Sequence, residues 1–161
     1  TKRLAGSPWR DARAAGASPD HDVQPFPPHP LPPANRPWML PPMLGLLLVD
    51  HGSRRQESNQ QLTVVADRLR ALQPACVVAH AHMELAEPSI AAAFADLVAR
   101  GASEVRVLLY FLGDGRHSRE DIPRLVTEAA AAFPHIVWRV APPLGPHDLL
   151  AQLLLMRAGV A

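Results

Sequence analysis

From residue 44 onward, apolar runs alternate with amphipathic stretches. Residues 44–49 form a continuous apolar run bounded by turn residues, the pattern of a strand buried on both faces. Residues 56–72 carry Leu62, Val65, Leu69 and Leu72 at spacings of three and four, which predicts an amphipathic helix. A second strand is expected over 75–81. The next helix is expected to start at Pro88, to turn Ile90, Phe94, Leu97 and Val98 to one face and to stop at Gly101. The pattern then repeats, with a strand over 105–111 and a helix over 121–133. Ser118 and Asp121 have capping-box spacing, but a helix started there would enclose Pro123, so Asp121 is the expected N-cap. A fourth strand over 136–141, a turn over 142–146 and a short helix over 148–157 complete the series. Strict alternation implies parallel strands joined by right-handed crossovers. The expected fold is a small doubly wound α/β domain, a four-stranded parallel sheet with helices on both faces.

No such period exists before residue 44. Eleven of the 18 prolines fall in residues 1–43, among Ala, Arg and His, and such a segment buries too little apolar surface to offset the entropy of ordering it. Residues 1–43 are therefore expected to be a disordered leader and 44–161 the folded domain. Its Arg and Ala with only Asp11, Asp20 and Asp22 as acids fit an organelle transit peptide, a Pro-rich linker being the alternative. His21 and His29 are read as solvated.

Composition narrows the function. The 161 residues are 48% apolar and 19% charged with a net charge of +1, which suits one globular core and gives no bias toward nucleic acid. No apolar run approaches the roughly 18 residues that span a bilayer, so no membrane partner is expected. The single cysteine, Cys76, lies in an apolar run and reads as a small buried hydrophobe, which argues against a disulfide framework, a cysteine zinc site and an iron–sulfur cluster.

The candidate chemistry gathers at one edge. Ligands bind open parallel sheets beyond the carboxyl ends of the strands, where this chain places Asp50-His51-Gly52-Ser53, His82-Met83-Glu84, Gly113 to His117 and Leu144 to His147. Two neutral imidazoles, His51 and His117, make a site for a divalent transition metal with open coordination positions. Glu84 is a third ligand or a base. His82, two residues earlier, points the same way if the strand persists. Gly52, Gly113 and Gly115 suit positive φ or the close approach of a flat ligand. Arg54, Arg55, Arg116 and Arg119 flank the histidines and complement a ligand with several carboxylates. A hydrolase reading of Asp50, His51 and Ser53 fails, because neighbours in one turn cannot form the linear nucleophile, base and orienter array.

The segments LLLVDHGSRRQESN, AHMELAEPSI, YFL with GRHSREDIP, and APPLGPHDLL resemble the class II chelatases, most closely the short sirohydrochlorin chelatases, over residues 44–157. Their wording looks like the plant and algal plastid branch, which inserts ferrous iron into sirohydrochlorin to make siroheme. The resemblance implies a chelatase-like, flavodoxin-like fold, His51 and His117 as metal-binding histidines, and Glu84 as the acidic position. The residues expected to contact that substrate are Ser53, Arg54, Arg55, His82, Gly113, Gly115 and Arg116, while the resemblance implies a homodimer and a location in the plastid stroma, with the cytoplasm as the alternative. Fe²⁺ is the implied metal substrate and Co²⁺ the alternative, with no further cofactor. Some plant members carry an iron–sulfur cluster on extra cysteines, which this chain lacks. A non-catalytic metal-binding or metal-delivery domain is the reading from a different class.

Overall fold

The computed structural model describes residues 43–160. The expected leader therefore lies, Met43 apart, outside the described residues. The elements run β1 (Leu44–Asp50), α1 (Gln56–Leu72), β2 (Val77–His82), α2 (Ile90–Ala99), β3 (Glu104–Leu109), α3 (Ile122–Ala130), β4 (Val137–Val140) and α4 (Asp148–Ala158). The four strands form one parallel sheet in the order β2-β1-β3-β4, the expected doubly wound fold.

The two faces of β1 explain its unbroken apolar run. Leu47 and Val49 face a core closed by Ile90, Phe94 and Leu97 of α2 and Ile122 and Val126 of α3. Leu46 and Leu48 face the other way, onto Leu62 and Ala66 of α1. Each fully buried side chain of this size contributes roughly 1.5–3 kcal/mol. Gly45 lets β1 pack closely, since a Cβ there would stand 3.0 Å from that of Ala102 and press on it.

Several boundaries shift for local reasons. Cys76 N–H donates to the Gln73 carbonyl at 3.0 Å, so 73–76 is a turn and β2 starts at Val77 rather than at residue 75. Pro88 precedes the second helix instead of opening it. Its carbonyl accepts from His82 N–H at 2.9 Å, and Ser89 is the N-cap, its hydroxyl accepting from Ala92 N–H at 3.3 Å. At the other end Gly101, with φ +94, lets Ala102 N–H reach the Leu97 carbonyl and Gly101 N–H the Val98 carbonyl, which stops the helix as expected.

β2 is an edge strand, and its Val78 carbonyl is covered. Arg70 and Arg100 both donate to the Val78 carbonyl, at 3.0 and 3.2 Å, flanking a hollow of about 210 Å³ that His80 also lines. Blocking an edge in this way hinders pairing with another chain. Among the described residues, α4 differs from the other helices in carrying no buried residue.

Candidate metal site

β1 and β3 are neighbours whose following connections leave in opposite directions, α1 toward β2 and α3 toward β4. That reversal opens a crevice at their carboxyl ends. His51 follows β1 and His117 follows β3, and their ring centroids lie 5.2 Å apart at an interplanar angle of 76°.

Glu84 arrives from β2. The β1–β2 ladder continues past the strands, with Met83 N–H donating to the Asp50 carbonyl at 2.9 Å and Glu84 N–H to the His51 carbonyl at 3.1 Å. Gly52 makes this close approach possible: its φ is +86, and a Cβ on it would overlap the Glu84 carbonyl oxygen. The Glu84 carboxylate then lies 2.9 Å from Nε2 of His51. An ionised carboxylate only accepts, so this contact places a proton on Nε2. Nδ1 of His51 faces the Gly52 carbonyl at 3.3 Å. A neutral imidazole carries one proton and can satisfy only one of these two acceptors.

His117 is held differently. Helical winding has begun by Arg116 and passes through a π-helical turn (His117–Asp121) into α3, so Asp121 caps nothing. Its carboxylate instead accepts from Nδ1 of His117 at 2.9 Å. This fixes the tautomer and leaves the Nε2 lone pair bare, the arrangement that outer carboxylates impose on metal-binding histidines. The expected N-cap is thereby corrected to a carboxylate that orients an imidazole one turn away. Ser118, buried, donates to the Gly115 carbonyl and accepts from the Gly115 N–H, both at 2.9 Å, and pins the glycine loop in front of the turn.

The remaining expected residues are placed unevenly. Ser53 is tied to α1 by Asn59, which accepts from Ser53 N–H at 2.9 Å and donates to its carbonyl at 2.8 Å. Arg54 and Arg55 are exposed beside it. Arg116 stands 3.7 Å from Glu120 and Arg119 2.9 Å from Asp114, so acidic neighbours offset both charges. Gly113 and Gly115 do not have positive φ, which leaves the close approach of a flat ligand as their expected use, and a Cβ on either would meet nothing within 4 Å. Only Gly52 is a steric necessity. His82 does not share a face with Glu84 at the open edge: β2 ends at His82, Leu85 turns with φ +67, and the imidazole is 2% exposed against Asp50. Of the supporting residues, Asn59 was not expected at all, and Asp50, Asp121 and Ser118 hold other roles than the sequence suggested. The i,i+4 spacing of His117 and Asp121 was the one signal available for any of them.

Among the described residues, no three His, Cys, Asp or Glu side chains are arranged around a common point. Glu84 occupies the nitrogen of His51 that a metal would take. The arrangement is a pair of imidazoles and one carboxylate whose internal hydrogen bond must open for an ion to enter.

Comparison with known proteins gives a consistent outcome. The profile of the CbiX family matches residues 45–161. A sirohydrochlorin ferrochelatase, chloroplastic, from Arabidopsis thaliana is 46% identical over 110 residues, covering 68% of this chain and 49% of that one, so the match spans about half of the relative's length. A sirohydrochlorin cobaltochelatase of Methanosarcina barkeri is 29% identical over 121 residues, covering 71% of this chain and 93% of its own. Among solved structures, the sirohydrochlorin chelatase SirB of Bacillus subtilis subspecies spizizenii in complex with cobalt superposes with a TM-score of 0.69 at 27% identity, covering 73% of this chain and 50% of that one.

Proposed function

The chain belongs to the CbiX family of class II chelatases, and from that premise we propose that it inserts ferrous iron into sirohydrochlorin to form siroheme. The observation that carries the chemistry is the 5.2 Å pairing of His51 and His117 across the crevice with Glu84 on the His51 nitrogen. The stronger identity to a ferrochelatase than to a cobaltochelatase favours iron, with cobalt insertion second.

In this reading His51 and His117 present Nε2 to Fe²⁺ as it is delivered. Nε2 of His51 is freed for the ion when the imidazole proton moves to Nδ1, where the Gly52 carbonyl accepts it, and the Glu84 carboxylate is released unprotonated beside the ion. Insertion exchanges one Fe²⁺ for the two pyrrole protons of the macrocycle, so charge balances without a redox cofactor or nucleotide. Glu84, more than half exposed and adjacent to the captured ion, is the proposed first acceptor. The carboxylates of the tetrapyrrole are met by Arg54 and Arg55, with Arg116 across the crevice, while Ser53, Gly113 and Gly115 border the macrocycle. His82 sits too deep for such contact.

We place the enzyme in the plastid, with residues 1–43 as an import leader and 44–161 as the catalytic domain. The Arg- and Ala-rich composition of that segment and the relative described as chloroplastic support this. A homodimer is proposed on the apolar side chains that α4 exposes, Leu149, Leu153, Leu154, Leu155 and Met156. The function is tested anaerobically by following the visible spectrum of sirohydrochlorin with protein and Fe²⁺ or Co²⁺. Catalysed insertion with Fe²⁺ preferred is expected; a rate no faster than without protein would leave only a metal-binding domain.

A further inference from the structure

His82 and Ser118 are the buried polar residues among those described, and Ser118 serves its own loop. Burying an imidazole is costly unless it is hydrogen-bonded. His82 donates from Nδ1 to Oδ1 of Asp50 at 2.6 Å, and the same oxygen accepts from Gly52 N–H at 3.0 Å. Asp50 precedes His51 and Gly52 follows it. The carboxylate that His82 grips therefore bridges the peptides on both sides of His51.

The other half of the site rests on the same bond. Gly52 packs on the Glu84 carbonyl, and a Cβ there would also meet the Cβ of His82 at 3.0 Å. The ladder bonds from Met83 and Glu84 end on Asp50 and His51. Behind the His82 ring stands His80, 6.1 Å away at 73° and itself 3.3 Å from the Thr63 hydroxyl, so the ring is backed as well as bonded. The hydrogen bond between His82 and Asp50 thus joins the strand end that carries His51 to the strand end that carries Glu84.

We propose that His82 is a positioning residue for metal capture: through Asp50 it holds the turn that presents Nε2 of His51 to Glu84 and the incoming ion, and it does not touch the tetrapyrrole. This rests on the proposed site, in which His51 takes the metal with Glu84 beside it. A purely structural role would lower thermal stability and leave the metal and sirohydrochlorin constants moving together or not at all.

The test uses His82→Phe, which keeps a ring and removes the donor, and His82→Asn, which returns an N–H near the position of Nδ1. Co²⁺ affinity is read by absorption titration of the full chain without tetrapyrrole, and KM is measured for metal and for sirohydrochlorin. His82→Phe should weaken Co²⁺ binding and raise the metal KM by about tenfold or more, the usual effect of losing an outer-shell partner. Its sirohydrochlorin KM should be unchanged, and His82→Asn should recover most of the metal affinity. Wild-type Co²⁺ affinity in His82→Phe overturns the proposal. An Asn variant as weak as Phe, or an equal loss of sirohydrochlorin affinity, also overturns it. His51→Ala measured alongside separates the two levels. If it too leaves Co²⁺ affinity unchanged, the metal site itself is misassigned; if only His82→Phe is silent, the positioning role alone falls. Should His82→Phe not fold, Asp50→Ala cuts the same bond from its more exposed end and carries the same expectations.

Discussion

Gly52 lies against the carbonyl oxygen of Glu84 so closely that any side chain on Gly52 would overlap it, and its φ of +86 is itself unfavourable for other residues. The contact sets how near the turn after β1 comes to the segment after β2, and hence the 2.9 Å between His51 and Glu84. Gly52→Ala should destabilise the domain by about 1–3 kcal/mol through backbone strain alone, and separating the two side chains should weaken metal binding as well. Urea unfolding and Co²⁺ titration check both. A variant with wild-type values would mean that the turn relaxes without moving the site.

Glu84→Gln separates the proton from the ion. The amide still fits against His51 but cannot take up a proton, so insertion at saturating metal should slow by about a hundredfold, the lower range for losing a positioned base. Co²⁺ affinity should change far less. Equal losses in both would make Glu84 chiefly a ligand.

His80 has its pKa lowered, first by burial and then by the nearby charges of His82 and Arg70. The folded state therefore binds fewer protons at this site than the unfolded chain. The stability tied to His80 is complete above the unfolded value, about 6.5, and drains as the pH falls through it toward the folded value. Thermal unfolding midpoints should drop less in His80→Gln than in the parent between about pH 7.5 and about pH 5.5. Parallel curves would show that His80 is not a source of acid sensitivity.

α4 exposes Leu149, Leu153, Leu154, Leu155 and Met156, five of the six large apolar side chains in the run LLAQLLLM. Sedimentation at micromolar concentration should give the dimer mass, and the pair Leu149→Glu with Leu154→Glu should shift it to monomer. A monomeric parent with full activity would contradict the proposed assembly.

The backbone order was legible because each element advertised a distinct period. The two-faced core of β1 appears as an unbroken apolar run, and the one-sided α1 as Leu62, Val65 and Leu69. The expected pair of histidines does meet at the sheet edge, since strict βα alternation leaves only one edge for the residues after β1 and β3. What escaped depended on relations between distant segments. The burial of His82 follows from β2 ending there and from Asp50 arriving 32 positions earlier in the chain. The use of Asp121 as a partner of His117 depended on the helix beginning a turn before the expected N-cap, in a π-helical stretch that no residue pattern marks. Gly52, Gly113 and Gly115 look alike in sequence, yet only Gly52 has backbone pressed against it.

The central claim is that the two imidazoles 5.2 Å apart take the metal that is inserted. Its most direct test is the rate of iron insertion into sirohydrochlorin by His51→Ala and His117→Ala, measured anaerobically at metal concentrations that give equal occupancy, with folding checked by circular dichroism. Each variant should keep the fold, because both side chains stand beyond the strands, and should lose at least about a hundredfold in insertion rate. Near-normal insertion by either variant would contradict the two-histidine site.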